Sequence, residues 1–334
     1  MPVDSAKSGA HLCNRSINVM RRGNKWALKT PIQMNVVLPQ DRAYFLVYKG
    51  FRMGSKWFEE LMNRVKGVNF KFELHHCFGE QDLEASRNPD NMVNKTLSYL
   101  RSSCNCVKAK CFDCVEDNQK YPCIASGFSL VNYGRDSVMY VRQLYGATNF
   151  KLVMHVRTNH VKHAVSFMRT TCAGQHNHAY ETNYSMFAID PQRLISRSMM
   201  ASRTHYRLTH VPDTLGIEPV YYVIYEILQQ NPEKEIENVL RAVGVSSYIA
   251  WKPQVEFPLV KQGSDLMNET LTNYNEVELA FGERPCLLRM LKAHRFQSFN
   301  VQECVMNRSA RVPVPPVPPM NNTLTAKECN PYSY

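Results

Sequence analysis

Residues 44–61 read Tyr44-Phe-Leu-Val-Tyr48, then Lys49-Gly50-Phe51-Arg52-Met53-Gly54-Ser55-Lys56-Trp57, then Phe58-Glu-Glu-Leu61. The first part is apolar, β-branched and aromatic, the composition of a short buried strand. The last part sets apolar side chains at Trp57, Phe58, Leu61, Met62 and Val65, the spacing of one helix face. Between them lies a turn with two glycines and the cations Lys49, Arg52 and Lys56. A strand that feeds such a turn and then a helix builds an anion cradle. The amides of the first helical turn point outward, and the helix dipole adds positive potential. Ser55 adds a hydroxyl at the mouth of that cradle.

A second stretch has the same character. Leu152-Val-Met-His-Val156 reads as a buried strand with Arg157 at its C-terminal end. A helix from about 160 to 169 follows, with Val161, Ala164, Val165 and Met168 on one face. Ser166 lies on it, nine positions after Arg157. Arginine suits a phosphate because its planar fork donates two parallel hydrogen bonds.

The first turn is not a nucleotide P-loop. The Walker pattern needs four residues between its glycines and then Gly-Lys-Ser/Thr, whereas here three residues separate Gly50 from Gly54 and the order is Gly-Ser-Lys. The turn instead resembles the 5′-phosphosulfate loop of sulfotransferases, Arg/Lys-x-Gly-Ser/Thr-x-Trp/Leu, through Arg52, Gly54, Ser55, Lys56 and Trp57. Lys56 stands where many members carry Ser or Thr. Arg157 and Ser166 resemble the family's 3′-phosphate site, Arg-x7-8-Ser, and come after the 5′ loop as that family requires. Tyr225-Glu226-Ile-Leu228, with Pro232, Leu240 and Gly244-Val245 beyond, resembles a later family segment. Val260-Lys261-Gln262 and residues 271–277 resemble the segment that folds over the donor.

The resemblance spans roughly residues 43–295. It implies an α/β fold of three layers, a mainly parallel sheet flanked by helices, with strands near 43–48, 68–74, 151–156 and 220–225. It implies 3′-phosphoadenosine-5′-phosphosulfate as co-substrate, held by Lys49, Arg52, Gly54, Ser55, Lys56, Trp57, Arg157, Ser166 and Lys261. It implies in-line transfer of the sulfuryl group to a hydroxyl or amine, on a small molecule or a glycan, with no metal required. Lys49, Arg52 and Lys56 would neutralise charge on the leaving phosphate. Glu73, in Phe72-Glu73-Leu74-His75, is the first choice for the base, ahead of His75 and then His76.

Composition bounds the alternatives. A chain of 334 residues with 44% apolar and 21% charged residues builds a sizeable globular core. It has no apolar run of the ~18 residues that a membrane span needs. The net charge of +11 calls for an anionic ligand or partner. The basic residues are dispersed rather than clustered, which argues against nucleic acid. Of eleven cysteines, five crowd together as Cys104, Cys106, Cys111, Cys114 and Cys123, a spacing that suits zinc or disulfides. Two other functions therefore compete: a P-loop kinase or NTPase, and a zinc-bearing nucleic-acid-binding module.

Residues 1–40 read as an N-terminal arm, 41–300 as the main domain, about 79–125 as a cysteine-rich insert, and 301–334 as a tail. The run from Val312 to Pro319 in that tail is proline-rich. Residues 191–210 read as a solvated helix with an apolar stripe. The opening residues lack the apolar core of a signal peptide, which points to the cytoplasm. Six Asn-x-Ser/Thr sequons, at Asn14, Asn94, Asn183, Asn268, Asn307 and Asn321, point with the cysteines to a secretory lumen such as the Golgi.

Overall fold

The computed structural model describes residues 38, 40–71, 89–102, 123–131, 135–148, 150–172, 186–246, 249–252, 266–294 and 297–299. Outside these lie most of the expected arm, the proline-rich tail, Glu73, His75, His76, Lys261 and the cysteines Cys104, Cys106, Cys111 and Cys114.

The elements alternate. β1 (Ala43–Lys49) leads to α1 (Ser55–Asn63), β2 (Val68–Lys71), α2 (Pro89–Ser102), β3 (Ala125–Val131), α3 (Arg135–Ala147) and β4 (Lys151–Val156). Then come α4 (His160–Cys172), α5 (Pro191–Thr209), α6 (Val211–Leu215), β5 (Tyr221–Ile224), α7 (Tyr225–Gln230) and α8 (Pro232–Ala242). A 3-10 turn (Met267–Glu269), α9 (Tyr274–Phe281) and α10 (Pro285–Lys292) finish the described chain. The five strands form one sheet in the order β2-β3-β1-β4-β5, and every pairing is parallel. The expected α/β architecture is therefore what forms.

Alternation along β1 separates two apolar layers. Tyr44, Leu46 and Tyr48 face one side with Val93, Leu97 and Leu100 of α2 and Val141 and Leu144 of α3. Phe45 and Val47 face the other with Phe58, Leu61 and Met62 of α1 and Ile236, Val239 and Leu240 of α8. A strand covered on both faces must be apolar throughout, and all of β1 from Tyr44 to Lys49 is buried. A third cluster joins Val161, Val165 and Met168 of α4 to Leu194 and Ile195 of α5, Val277 and Phe281 of α9, and Met290 and Leu291 of α10. The edge strand β2 is closed by a side chain. The Asn63 amide donates to the Phe70 carbonyl and accepts from the Phe70 amide, both at 2.8 Å, as a neighbouring strand would.

Two features depart from the reading of the sequence. Strand β3 was not foreseen, although it lies beside β1. The span expected as an insert contains α2, which belongs to the β2-to-β3 crossover and buries Val93, Leu97 and Leu100. Helix α5 forms as expected. Asp190 caps it, its carboxylate accepting from the amides of Gln192 at 2.8 Å and Arg193 at 3.2 Å.

β1 and β4 are neighbours, but the chain leaves them in opposite directions, from β1 towards β2 and from β4 towards β5. Such a switch point opens a crevice at the C-terminal ends of the strands, where α/β sheets bind ligands.

Candidate active site

Both anion-type motifs meet at that crevice. β1 ends in buried Lys49, and the turn 50–54 follows. Arg52 adopts φ 58, the one positive φ outside glycine among the described residues, a conformation that an arginine adopts only when its surroundings enforce it. Here α4 enforces it. The Arg52 guanidinium donates to the Ser166 carbonyl at 3.4 Å, and the His163 ring nitrogen Nε2 donates to the Phe51 carbonyl at 2.7 Å. Turn and helix are thus tied by reciprocal bonds. Ser166 meets Arg52 through its main chain. Gly54 is the N-cap of α1 at φ 72, Ser55 is buried just inside the helix, and Lys56 and Trp57 are half-buried.

The second motif sits across the crevice. Arg157 leaves the end of β4 with its guanidinium carbon 4.7 Å from the Tyr225 ring centre. That same ring fills the space beside Gly54: a Cβ on Gly54 would come within 2.2 Å of it. Trp57 sets an edge against Tyr225 at 6.4 Å, and Gln229 donates to the Tyr225 hydroxyl at 3.0 Å. Tyr225 therefore touches the turn of the first motif and the arginine of the second.

Glu226, next in the chain, is buried in the first turn of α7 rather than standing at a strand end. Its carboxylate accepts from the Thr158 amide at 3.0 Å, the Thr158 hydroxyl at 3.1 Å and the Asn159 amide at 3.0 Å. The Arg157 Nε lies 3.7 Å from it. Asn159 in turn accepts from the Lys162 amide at 2.9 Å and donates to the Met290 carbonyl at 2.9 Å. The strand end that carries Arg157 is thus pinned from two sides.

The electrostatics are those of clustered cations. Burial, with the nearby Arg157 charge, holds the Arg52 guanidinium down to about 10. Four buried histidines lie close by. His155 is the register partner of Lys49 across β1 and β4, and burial, then Lys49 and Arg157, depresses it to about 3. His163 falls to about 3 mainly through burial and Arg157. His160 and His205 pack ring to ring at 5.2 Å, and burial depresses both. His205 Nδ1 donates to the Arg157 carbonyl at 3.2 Å. These rings are therefore neutral at pH 7, and their role here is to pack and to orient.

That neutrality gives a prediction. A buried histidine whose folded pKa lies below its unfolded value near 6.5 stabilises the fold fully above that value. The contribution is lost as pH falls from 6.5 towards 3, because the unfolded chain binds the proton first. Each of His155 and His163 contributes up to about 1.4 kcal/mol of lost stability per pH unit in that window. Urea midpoints measured from pH 7.5 to 4.5 should fall on this slope, and His155→Leu should flatten it.

Lys49, Arg52, Gly54, Ser55, Lys56, Trp57, Arg157 and Ser166 thus lie at one sheet edge. Glu73, His75 and Lys261 fall outside the described residues. Tyr225, Thr158, His163 and His205 were not singled out from the sequence. The Tyr225-Glu226 pair carried a signal as part of a family-like segment, but nothing in the sequence revealed its contact with Gly54. Among the described residues, no three His, Cys, Asp or Glu side chains gather as a metal site, and no helix is long and apolar enough to cross a membrane.

No protein-family model matches the chain. A comparison with curated proteins finds no match. Among solved structures the chain is similar to a sulfotransferase from Alicyclobacillus acidocaldarius, at 14% identity over 75% of this chain and 95% of that one, with a TM-score of 0.38. It is also similar to the sulfotransferase domain of the Synechococcus PCC 7002 olefin synthase, at 14% identity over 77% of this chain and 91% of that one, with a TM-score of 0.32. Superpositions this loose say nothing of chemistry.

Proposed function

We propose that this chain is a sulfotransferase that moves the sulfuryl group of 3′-phosphoadenosine-5′-phosphosulfate to a hydroxyl or amine acceptor. The observation that carries this reading is the meeting of the two motifs at Tyr225, whose ring packs on Gly54 of the first and under the Arg157 guanidinium of the second. The Arg157 charge reaches Arg52, and Glu226 stands beside Arg157 only, so the two guanidiniums together suit an added anionic ligand. A donor with phosphate groups at both ends of an adenosine supplies one anion to each motif. Arg52, Ser55, Lys56 and the first amides of α1 would hold the phosphosulfate, with Lys49 behind them. Arg157 and Ser166 would hold the 3′-phosphate.

In the transfer itself the acceptor oxygen or nitrogen attacks sulfur as the bond to the 5′-phosphate oxygen breaks. Charge grows on that leaving phosphate, and Arg52 and Lys56 would neutralise it from fixed positions. The acceptor's proton would pass to a base, for which Glu73 and then His75 remain the candidates. The acceptor is a small molecule or a glycan.

The cysteines bear on the compartment. Cys123 and Cys286 are both disulfide-bonded, and the sequon residues Asn94 and Asn268 are exposed. Both favour an oxidising secretory lumen over the cytoplasm. The donor reading is tested by thermal shift with 3′-phosphoadenosine 5′-phosphate against ADP and GTP. The bisphosphate alone should raise the melting temperature. An equal or larger rise with ADP or GTP would sink the reading in favour of a nucleotide kinase or NTPase.

A further inference from the structure

We propose that Glu226 is a positioning residue: through Thr158 and Asn159 it aims Arg157 and so sets the affinity for the donor's second phosphate. This rests on the donor reading above and adds a residue that does not itself touch the ligand.

Glu226 is 4% exposed, and a carboxylate that deep is costly unless its oxygens are satisfied. They are satisfied entirely by the segment that follows β4. One oxygen takes the Thr158 amide and hydroxyl, the other takes the Asn159 amide, and the Arg157 Nε stands 3.7 Å away. Strand β4 ends at Val156 and α4 starts at His160, so residues 157–159 are the whole link between them. Three hydrogen bonds to a single carboxylate leave that link one conformation. The Arg157 side chain is then confined between Glu226 and the face of Tyr225. At 3.7 Å and with no hydrogen bond to the Nε, the carboxylate attracts the guanidinium without locking its fork. The outer edge of the fork stays available to an oxyanion.

The geometry separates this role from ordinary core support. Thr158 is bonded to Glu226 by both amide and hydroxyl, and the hydroxyl also accepts from the Phe299 amide at 3.1 Å. Loss of the Glu226 charge would loosen residues 157–159 and leave the Gly50–Gly54 turn, on the other strand, tied to α4 through Phe51 and Arg52. The deficit should therefore fall on the phosphate bound at Arg157 and spare the phosphate bound at the turn.

The test uses the full chain and two probes, 3′-phosphoadenosine 5′-phosphate and adenosine 5′-monophosphate, titrated by calorimetry. The ratio of their affinities reports the 3′-phosphate site alone, and a partly unfolded sample leaves it unchanged. Wild type should prefer the bisphosphate. Glu226→Gln should cut that preference about tenfold, the scale of losing a residue that orients a ligand-binding group. Thr158→Val should cut it by less, and Thr158→Ser should restore it. Should Glu226→Gln fail to fold, the Thr158 pair decides the matter. If wild type prefers the bisphosphate and neither Glu226→Gln nor Thr158→Val lowers the preference, Glu226 only supports the fold and the proposal is overturned. If wild type binds neither probe, the donor reading fails, and this inference fails with it.

Discussion

Gly54→Ala is expected to lower the unfolding free energy by about 2–5 kcal/mol and to abolish binding of the donor. Two independent costs add at this position. The backbone sits at φ 72, which a residue with a Cβ adopts only with strain. The new methyl would also lie 2.2 Å from the Tyr225 ring. The ring has no easy retreat, because Arg157 lies over its face, Trp57 meets it edge-on and Gln229 holds its hydroxyl. Displacing Tyr225 therefore moves Arg157 as well, so a substitution in one motif disables the other. Gly216 has almost the same backbone angle, φ 66, but open space around it. Gly216→Ala should cost only the backbone part and leave donor binding alone. Urea denaturation and calorimetry on the two variants separate strain from collision. If the two lose the same stability and both bind the donor, the packing of Tyr225 on Gly54 does not matter.

Much of this was legible in the sequence because β1, β4, α1 and α4 announce themselves. Strands covered on both faces are runs of apolar residues, and helices with one buried stripe repeat at helical spacing. The motifs then stand at the boundaries of those elements. β3 was hidden for a physical reason. Ala125-Ser-Gly-Phe-Ser-Leu-Val131 is buried at every position, yet it holds two serines and a glycine and reads as a loop. Its Gly127 is there because the Phe45 ring occupies the space where a side chain would go, with a Cβ position only 2.6 Å away. That demand comes from β1, 82 positions earlier, and no local pattern reports it. α2 was obscured in the same way by the polar and cysteine-rich residues around it. At the site, the cations were legible because two motifs, Arg52-x-Gly54-Ser55-Lys56-Trp57 and Arg157 with Ser166, stand in order at the ends of readable strands. What fixes them was not. The contact of Tyr225 with Gly54 and the three donors around Glu226 each join segments more than 65 residues apart.

Arg157→Ala is expected to weaken the bisphosphate by about 2–4 kcal/mol, roughly 30- to 1,000-fold, with far less effect on global stability. The asymmetry follows from its surroundings. Glu226 loses a cation 3.7 Å away but keeps all three of its hydrogen bonds, so no buried carboxylate is orphaned. Arg52, at the other motif, gains: the charge that helps hold its guanidinium down to about 10 disappears. The loss is therefore one of binding and not of folding. Arg52→Ala and Lys56→Ala should divide the other way. They would act on the leaving phosphate, where charge grows only as the sulfur–oxygen bond breaks. Turnover should fall about 100-fold or more while the bisphosphate still binds through Arg157. Calorimetry with 3′-phosphoadenosine 5′-phosphate reads the first effect without any acceptor in hand. Release of the bisphosphate from the sulfated donor in the presence of an acceptor reads the second. If Arg157→Ala binds the bisphosphate as tightly as wild type, Arg157 has no part in holding a phosphate, and the crevice between β1 and β4 serves a ligand with a single anionic end.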